Sequence, residues 1–267
     1  MIFDRSLYRK YRDRAACLDI ECDFLFNKII DIIFEKLSVF LNQDESLLHL
    51  GCRNDRLVDL LQSSNFSLKE KLLQCDISYN AINKIKYGKK IVLDEEFLPF
   101  MEQTFDIVVS TMSLHCVNKL PGVLLRINDI LKKDGVFIGT IFGIQTLNEL
   151  RQSILSIESK SGAVTSRVIP FINAVDASNL LRQSKFISSV LDVYIITIKY
   201  KSVLDLFHDL RNMGEANMLH IRNKNFLSKS LIAEIEKFYI DNFAQDDHYI
   251  PATFEVIIMQ GAKSKIT

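Results

Sequence analysis

The architecture of this chain follows from one stretch, Leu47-Leu48-His49-Leu50-Gly51-Cys52-Arg53-Asn54-Asp55-Arg56-Leu57-Val58-Asp59-Leu60-Leu61. Its first four residues form a short apolar run, which predicts a buried strand that ends at Gly51. The apolar residues from Leu57 to Leu61 then follow the spacing of a buried helix face. A strand, a tight turn and a helix form the first half of a βαβ unit. Such units bind small polar ligands where the carboxyl end of the strand meets the amino end of the helix.

A second strand is predicted at 71–76, and it ends on an acid. Asp76 lies 25 positions after Gly51, close to the roughly twenty residues at which ribose-binding βαβ units carry a carboxylate. A carboxylate accepts hydrogen bonds from both ribose hydroxyls, which makes Asp76 a candidate ribose ligand. The alternative is that Asp76 caps the following helix, for which Ser78 is also suited.

Three more strands, at 91–93, 105–110 and 136–142, alternate with short helical or polar segments. This alternation predicts an α/β fold with a doubly wound, mostly parallel sheet. Asp94 follows the third strand and is either a ligand for an adenine amine or part of an acidic surface loop. His115 follows the fourth strand, at the edge where α/β sites lie, although a lone histidine is more often structural. Residues 133–135 predict a turn.

The remaining segments have a different order. Helices are predicted at 145–160, 174–184, 202–211 and 228–240, and strands at 190–199 and 253–259. We expect these two strands to pair antiparallel, with 201–250 as a helical insertion between them. An amphipathic helix is predicted within 18–41. The expected division is an N-terminal helical cap over 1–41 and one α/β domain over 42–267, with the cap and the insertion covering the ligand edge.

Residues 4–16 contain five basic side chains, at positions 5, 9, 10, 12 and 14. Two interpretations are open. The segment is either a solvated helix face, which we slightly prefer, or an arm that folds over the ligand site and meets an acidic substrate.

Composition excludes several classes of function. The 33 Lys and Arg residues balance the 33 Asp and Glu residues, so general attraction to nucleic acid or to an anionic membrane is not expected. The longest apolar runs are too short to span a bilayer, and no secretory signal is recognised, so a cytoplasmic location is expected. The five scattered cysteines predict reduced thiols, and no metal-ligating set of convincing spacing is found.

Several segments together resemble the class I S-adenosylmethionine-dependent methyltransferases, in the same order along the chain: 76–78, 94–100, 105–110, 114–115 and 131–136. The resemblance is greatest to the group that contains the biotin-pathway malonyl-carrier methyltransferases. Within it, 2–5, 94–100, 213–217 and 251–253 resemble the mitochondrial complex I assembly factors regarded as arginine hydroxylases. The resemblance covers nearly the whole chain.

The resemblance implies a Rossmann-like sheet with an antiparallel last strand, and S-adenosylmethionine as the cofactor. It assigns the loop that contains His49, Gly51, Cys52 and Arg53 to the methionine part of that cofactor. It also places Asp76 on the ribose, Ile77 against the adenine, Asp94 and Glu95 at the adenine edge, and Ser110 and His115 at the mouth of the substrate site.

This chain departs from the family pattern, which has an acid at position 49 and glycines at 53 and 55. Here these residues are His49, Arg53 and Asp55. A side chain at Arg53 opposes close backbone approach to a ligand, so cofactor binding is predicted to be weak, altered or lost.

Three functions follow as alternatives. The first is methyl transfer to a small-molecule, acyl-carrier or protein acceptor, in which alignment supplies much of the rate. His115 is then the candidate base if the acceptor is an amine or hydroxyl. The second is modification of an arginine in a protein partner such as a complex I subunit. The third is a binding module on a methyltransferase fold that has lost catalysis.

Overall fold

The computed structural model describes residues 1–18, 24–41, 44–64, 66, 71–161, 165–223, 227–244 and 249–263. Its described strands are β1 (Leu47–Leu50), β2 (Leu72–Asp76), β3 (Lys89–Val92), β4 (Phe105–Ser110), β5 (Leu131–Phe142), β6 (Phe186–Tyr200) and β7 (Ile250–Lys263). Its described helices are α1 (Arg5–Cys17), α2 (Phe24–Ser38), α3 (Arg56–Ser63), α4 (Tyr79–Lys84), α5 (Leu120–Ile130), α6 (Asn148–Glu158), α7 (Ala174–Gln183), α8 (Val203–Asn212) and α9 (Lys229–Phe243).

The seven strands form one sheet in the order β3-β2-β1-β4-β5-β7-β6. The first five strands run parallel to one another, whereas β7 is antiparallel to both of its neighbours, β5 and β6. All four residues of β1 are buried, because helices cover both faces of the sheet. One apolar core lies under α2, α3, α6, α8 and α9, and another lies under α5 and α7. The predicted α/β class, the parallel order and the antiparallel last strand are confirmed.

The predicted elements are found with shifted ends. The two late strands are longer than predicted, because they pair along almost their whole length, from Phe186 opposite Lys263 to Tyr200 opposite Ile250. The helix predicted within 18–41 begins at Phe24, and 19–23 lie outside the described residues. Four of the five cysteines are free thiols, and Cys22 lies outside the described residues.

One predicted feature is wrong and one alternative is decided. The turn predicted at 133–135 is wrong, because these residues lie inside β5. The sequence there does mark an irregularity: Asp134 has a left-handed backbone with φ 61°. It lies beside a shift in the register between β4 and β5. The N-cap of α4 is Ser78 and not Asp76, since the Ser78 hydroxyl accepts a hydrogen bond from the Ala81 N–H at 3.0 Å.

The amino terminus is tied to the insertion between β6 and β7. Phe3 forms a β-bridge with Leu219, and the Asp4 N–H donates to the Met218 carbonyl at 2.9 Å. The side-chain oxygen of Asn118 accepts from the Phe3 N–H at 2.9 Å. These bonds hold α1 across the carboxyl edge of the sheet. Among the described helices, none is long and apolar enough to cross a membrane.

Candidate functional site

The carboxyl ends of β1, β2, β3 and β4 meet at one edge of the sheet, and we call the residues there the crest: Gly51, Asp76, Asp94 and Ser110. Their closeness follows from parallel pairing in register, in which Leu50 lies opposite both Cys75 and Ser110. The Cys52 N–H donates to the Cys75 carbonyl at 3.1 Å, which fixes the loop after β1 beside the end of β2. The crest is therefore where the sequence predicted a ligand site.

Gly51 turns the chain sharply at the end of β1. It has φ +67°, and a Cβ added there would lie 2.7 Å from both the Thr111 carbonyl oxygen and the Ser113 Cβ. Glycine is thus required by conformation and by space. Arg53 also has a positive φ, 46°, although it carries a long side chain. The backbone at position 53 thus has a conformation that favours glycine, but the residue there carries a guanidinium group.

The Arg53 side chain is buried in the crest. Its Nη1 donates to the Met213 carbonyl at 2.7 Å, its Nη2 pairs with Glu215, and its guanidinium lies over the Phe26 ring with 3.5 Å to the centroid. Burial, together with the neighbouring positive charge of Arg12, lowers the pKa of Arg53. The side chain that was expected to oppose close ligand approach is held by these contacts.

Asp76 is already engaged by groups of this chain. Its Oδ2 accepts from Arg12 Nη2 at 2.5 Å, and its Oδ1 accepts from the Ser78 N–H at 2.8 Å. The Arg53 N–H adds a longer bond of 3.3 Å to Oδ2. Both members of the Arg12–Asp76 pair are buried, with side chains 4% and 1% exposed. Burial disfavours the charged form of Arg12, but Asp76 and its neighbours outweigh this and raise the pKa of Arg12.

Arg5 pairs with the carboxylates that follow β3, as Arg12 pairs with the carboxylate at the end of β2. Its Nη2 donates to Asp94 at 2.6 Å and also pairs with Glu95. Burial opposes the charge on Arg5, but the two carboxylates outweigh it and raise the pKa of Arg5. The Arg5 guanidinium lies over the ring of Tyr8, 5.0 Å from its centroid; Tyr8 is 1% exposed, and burial raises the pKa of its hydroxyl. Arg5, Tyr8 and Arg12 form one face of α1, and this face closes the crest.

His115 lies in a short 3₁₀ turn after β4, and its Nε2 is 2.9 Å from a Glu215 oxygen. Burial alone would raise the pKa of Glu215, but His115, Arg53 and Arg12 together lower it to about 2. Ligand atoms of His115, Cys116 and Glu215 lie within 4.8 Å of one another. One Glu215 oxygen pairs with Arg53 and the other lies against His115, whereas His115 Nδ1 and Arg53 Nε are buried without a hydrogen-bond partner.

His49 and Ser110 face the interior rather than an open cleft. His49 is fully buried on β1, its Nε2 lies 2.9 Å from the Thr111 hydroxyl, and burial lowers the pKa of His49 to about 4. The Ser110 hydroxyl lies 3.1 Å from the Ser113 hydroxyl. Both side chains stabilise the turn beneath the crest.

The structure thus brings the predicted residues together but fills the space between them. The preferred interpretation of 4–16 as a solvated face is wrong for Arg5 and Arg12, and the arm that folds over the site is what is observed. The spacing of Arg5, Tyr8 and Arg12 on one helix face was a signal that could have revealed this. Glu215 was not named as a site residue, although it lies in the segment 213–217 that carries the family resemblance; its position at the crest follows only from the tertiary fold.

An adenosyl group does not fit this arrangement. Arg12 pairs with Asp76, to which the resemblance assigns the ribose, and Arg5 pairs with Asp94, to which it assigns the adenine edge. The buried Tyr8 ring packs against Arg5. A cavity of about 290 Å³ lies beside Arg12 and Arg53, but Gly51, Asp76 and Asp94 do not line it. We therefore derive no chemical step through S-adenosylmethionine in this conformation.

Comparisons with known proteins give the context of this geometry. The sequence profile of the methyltransferase domain family matches residues 11–186. The zebrafish (Danio rerio) protein named arginine-hydroxylase NDUFAF5, mitochondrial, is 32% identical, over 98% of this chain and 83% of the relative. A malonyl-[acyl-carrier protein] O-methyltransferase from Methylovorus is 24% identical, over 96% of this chain and 88% of its own length. The YcgJ structure from Bacillus subtilis superposes with a TM-score of 0.61 at 12% identity, over 89% of this chain and 98% of that one. The last likeness shows the fold alone.

Proposed function

Because this chain belongs to the methyltransferase domain family and, within it, to the family of the NDUFAF5 arginine hydroxylases, we propose that it is a protein-binding factor of the assembly type. In this proposal the scaffold of a methyltransferase is kept, but the nucleoside position is occupied by the chain's own side chains. The partner proposed from the sequence resemblance is a subunit of respiratory complex I.

One observation carries this proposal: Arg12 of α1 pairs with Asp76, and Arg5 of α1 pairs with both Asp94 and Glu95. A buried carboxylate that already has a charge partner and backbone donors offers little to a ribose hydroxyl. Displacing Arg12 to admit a nucleoside would break a buried ion pair, which is strongly unfavourable unless the ligand replaces it fully. A neutral ribose does not replace a guanidinium.

Isothermal titration calorimetry with S-adenosylmethionine and S-adenosylhomocysteine tests the cofactor part of the proposal. We expect no saturable heat with either compound for the unmodified chain. Micromolar affinity that disappears in Asp76→Ala would overturn it, and unfolding measurements on Asp76→Ala would show whether that variant is folded.

Deletion of the gene in its native host tests the assembly part, with the amount of assembled complex I as the readout. We expect assembly to fall and to be restored equally by the wild type and by the double variant Arg12→Met/Asp76→Leu, which removes the ribose acid and its partner together. Rescue by the wild type alone, with the double variant folded and present, would contradict a role independent of the cofactor.

A second candidate is the S-adenosylmethionine-dependent methyltransferase predicted from the sequence. It is favoured by the convergence of Gly51, Asp76, Ile77 and Asp94, and by the fact that most of the closing side chains come from the single helix α1. If α1 moved away as a unit, the crest would open. Under this candidate the same titration gives micromolar binding to the unmodified chain, so one measurement separates the two functions.

A further inference from the structure

A cavity of about 510 Å³ lies on the other side of Glu215 from the crest. Its walls come from α1, α6 and α8 and from the segments around 167–171 and 213–217, and they are mostly apolar, including Leu150, Ile154, Leu210 and Phe171. This volume falls in the range of about 300–1,000 Å³ that is typical of small-molecule sites. Neither the closed crest nor the proposed partner accounts for it.

Three arginines line this cavity, and two of them, Arg14 and Arg211, form no ion pair with a carboxylate among the described residues. Arg14 Nη2 donates to the backbone carbonyl of Arg211 at 3.1 Å, and the Arg14 guanidinium lies over the Tyr11 ring with 5.0 Å to the centroid. Burial and the nearby charge of Arg211 lower the pKa of Arg14. Arg14 and Arg211 thus place two positive charges in the lining of this cavity.

The Arg14 Nε–H is buried and has no hydrogen-bond partner. Buried donors are nearly always satisfied, so an orphaned donor in a cavity wall points to a missing acceptor. The third arginine in the lining, Arg167, differs because it pairs with Glu158 at 2.6 Å. The acid in the wall, Glu215, forms an ion pair with Arg53 and a hydrogen bond with His115, so it repels an anion less strongly than an unpaired carboxylate would.

We infer that this cavity binds an acidic amphiphile, with an aliphatic or aromatic body among the apolar walls and one carboxylate or phosphate head between Arg14 and Arg211. Transfer of the apolar part of the ligand from water to the cavity supplies the favourable free energy of binding. The two guanidinium groups select a negatively charged head group. This site goes beyond the proposed function and does not depend on it.

Calorimetric titration of the whole chain with three amphiphiles of equal tail length tests the inference below their micelle concentrations. Dodecanoate and dodecyl phosphate carry the two candidate heads, and dodecyltrimethylammonium is the charge-inverted control. We expect saturable binding of the two anions and none of the cation. Tighter binding of either anion supports the site and identifies the head group. Equal binding of all three, or no saturable binding of either anion, would overturn it.

Variants localise the binding. Arg14→Gln/Arg211→Gln should weaken anion binding by about tenfold or more, a change of at least one decade in Kd. Arg182→Gln, which alters an exposed arginine of α7 outside the cavity, should leave it unchanged. Ala216→Trp, which places a large side chain in the cavity lining, should abolish it. Unchanged affinity in both Arg14→Gln/Arg211→Gln and Ala216→Trp would show that the anions bind elsewhere and would refute the assignment.

Discussion

At the scale of single residues, the ion pair between Arg12 and Asp76 explains most about the crest. Both side chains are almost fully buried, and Asp76 also accepts a bond from the Ser78 N–H. Removing one partner of such a pair leaves a buried charge without compensation. The net contribution of the pair to stability is therefore smaller than the destabilisation expected when only one of its two partners is removed.

Arg12→Met should destabilise the chain by about 3–5 kcal/mol, because Asp76 would remain buried without its ion-pair partner. Urea unfolding with linear extrapolation measures the change. The double variant Arg12→Met/Asp76→Leu should recover much of the loss, since both charges are removed. As a matched control, Lys71→Met removes the exposed pair with Asp44 and should have a much smaller effect. An effect of Arg12→Met no larger than that of Lys71→Met would show that the crest is open to water.

His49 should make stability depend on pH. The unfolded chain binds a proton on this residue near pH 6.5, whereas burial lowers the folded pKa to about 4. Stability from this group is therefore fully present above pH 6.5 and is lost as pH falls to about 4, by about 3 kcal/mol in all.

Replacing His49 by Gln should remove this part of the pH dependence. Relative to the wild type, the variant should gain stability on going from about pH 8 to about pH 5, whatever the loss of the Thr111 contact costs at both values. Chemical unfolding at the two pH values checks this. Parallel stability curves for the two proteins would contradict a buried neutral histidine.

At the scale of elements, α1 is the helix that decides whether the crest is open. Its inward face supplies Arg5, Tyr8 and Arg12, and the carboxylate of Asp13 accepts a bond from the Ser78 hydroxyl at 2.6 Å. Its start is fixed by Asp4, whose Oδ1 accepts from the Leu7 N–H at 3.0 Å. The helix is thus anchored at its amino end by a cap and along its length by polar contacts.

Asp4→Ala removes this cap and should cost about 1 kcal/mol of helix stability. Because the loss is local, we expect faster amide hydrogen exchange in the first turns of α1 and little change elsewhere. Ser228→Ala, which removes the corresponding N-cap of α9, is the control and should accelerate exchange in α9 only. Faster exchange throughout the sheet in Asp4→Ala would show that α1 is not an independent unit.

At the scale of the whole molecule, hydrophobic periodicity was sufficient for the sheet. The apolar run at 47–50 and the β-branched run at 105–110 are both buried in the middle of the sheet. Their apolar composition was therefore sufficient to predict buried strands. The ends of the strands and helices were harder to predict. The lengths of β6 and β7, for example, are set by their pairing with each other and not by either segment alone.

The sequence predicted where the candidate site lies on the sheet, but it did not predict that side chains of the chain itself fill it. Asp76 and Gly51 were found because strand ends and turns have local signals. The closure of the crest depends on contacts between residues far apart in the chain, such as Arg53 with Glu215 and Arg5 with Asp94. A basic helix face looks the same in sequence whether its partner is water or a row of buried carboxylates, so only the fold distinguishes the two.

The most direct test of the closed crest is amide hydrogen exchange of α1 and of the end of β2, measured with and without a large excess of S-adenosylmethionine. We predict slow exchange in α1 that the compound does not change, because Arg12 and Arg5 keep the crest filled. Faster exchange in α1 together with new protection around Asp76 on addition of the compound would mean that the helix opens to admit a nucleoside, and would contradict the account.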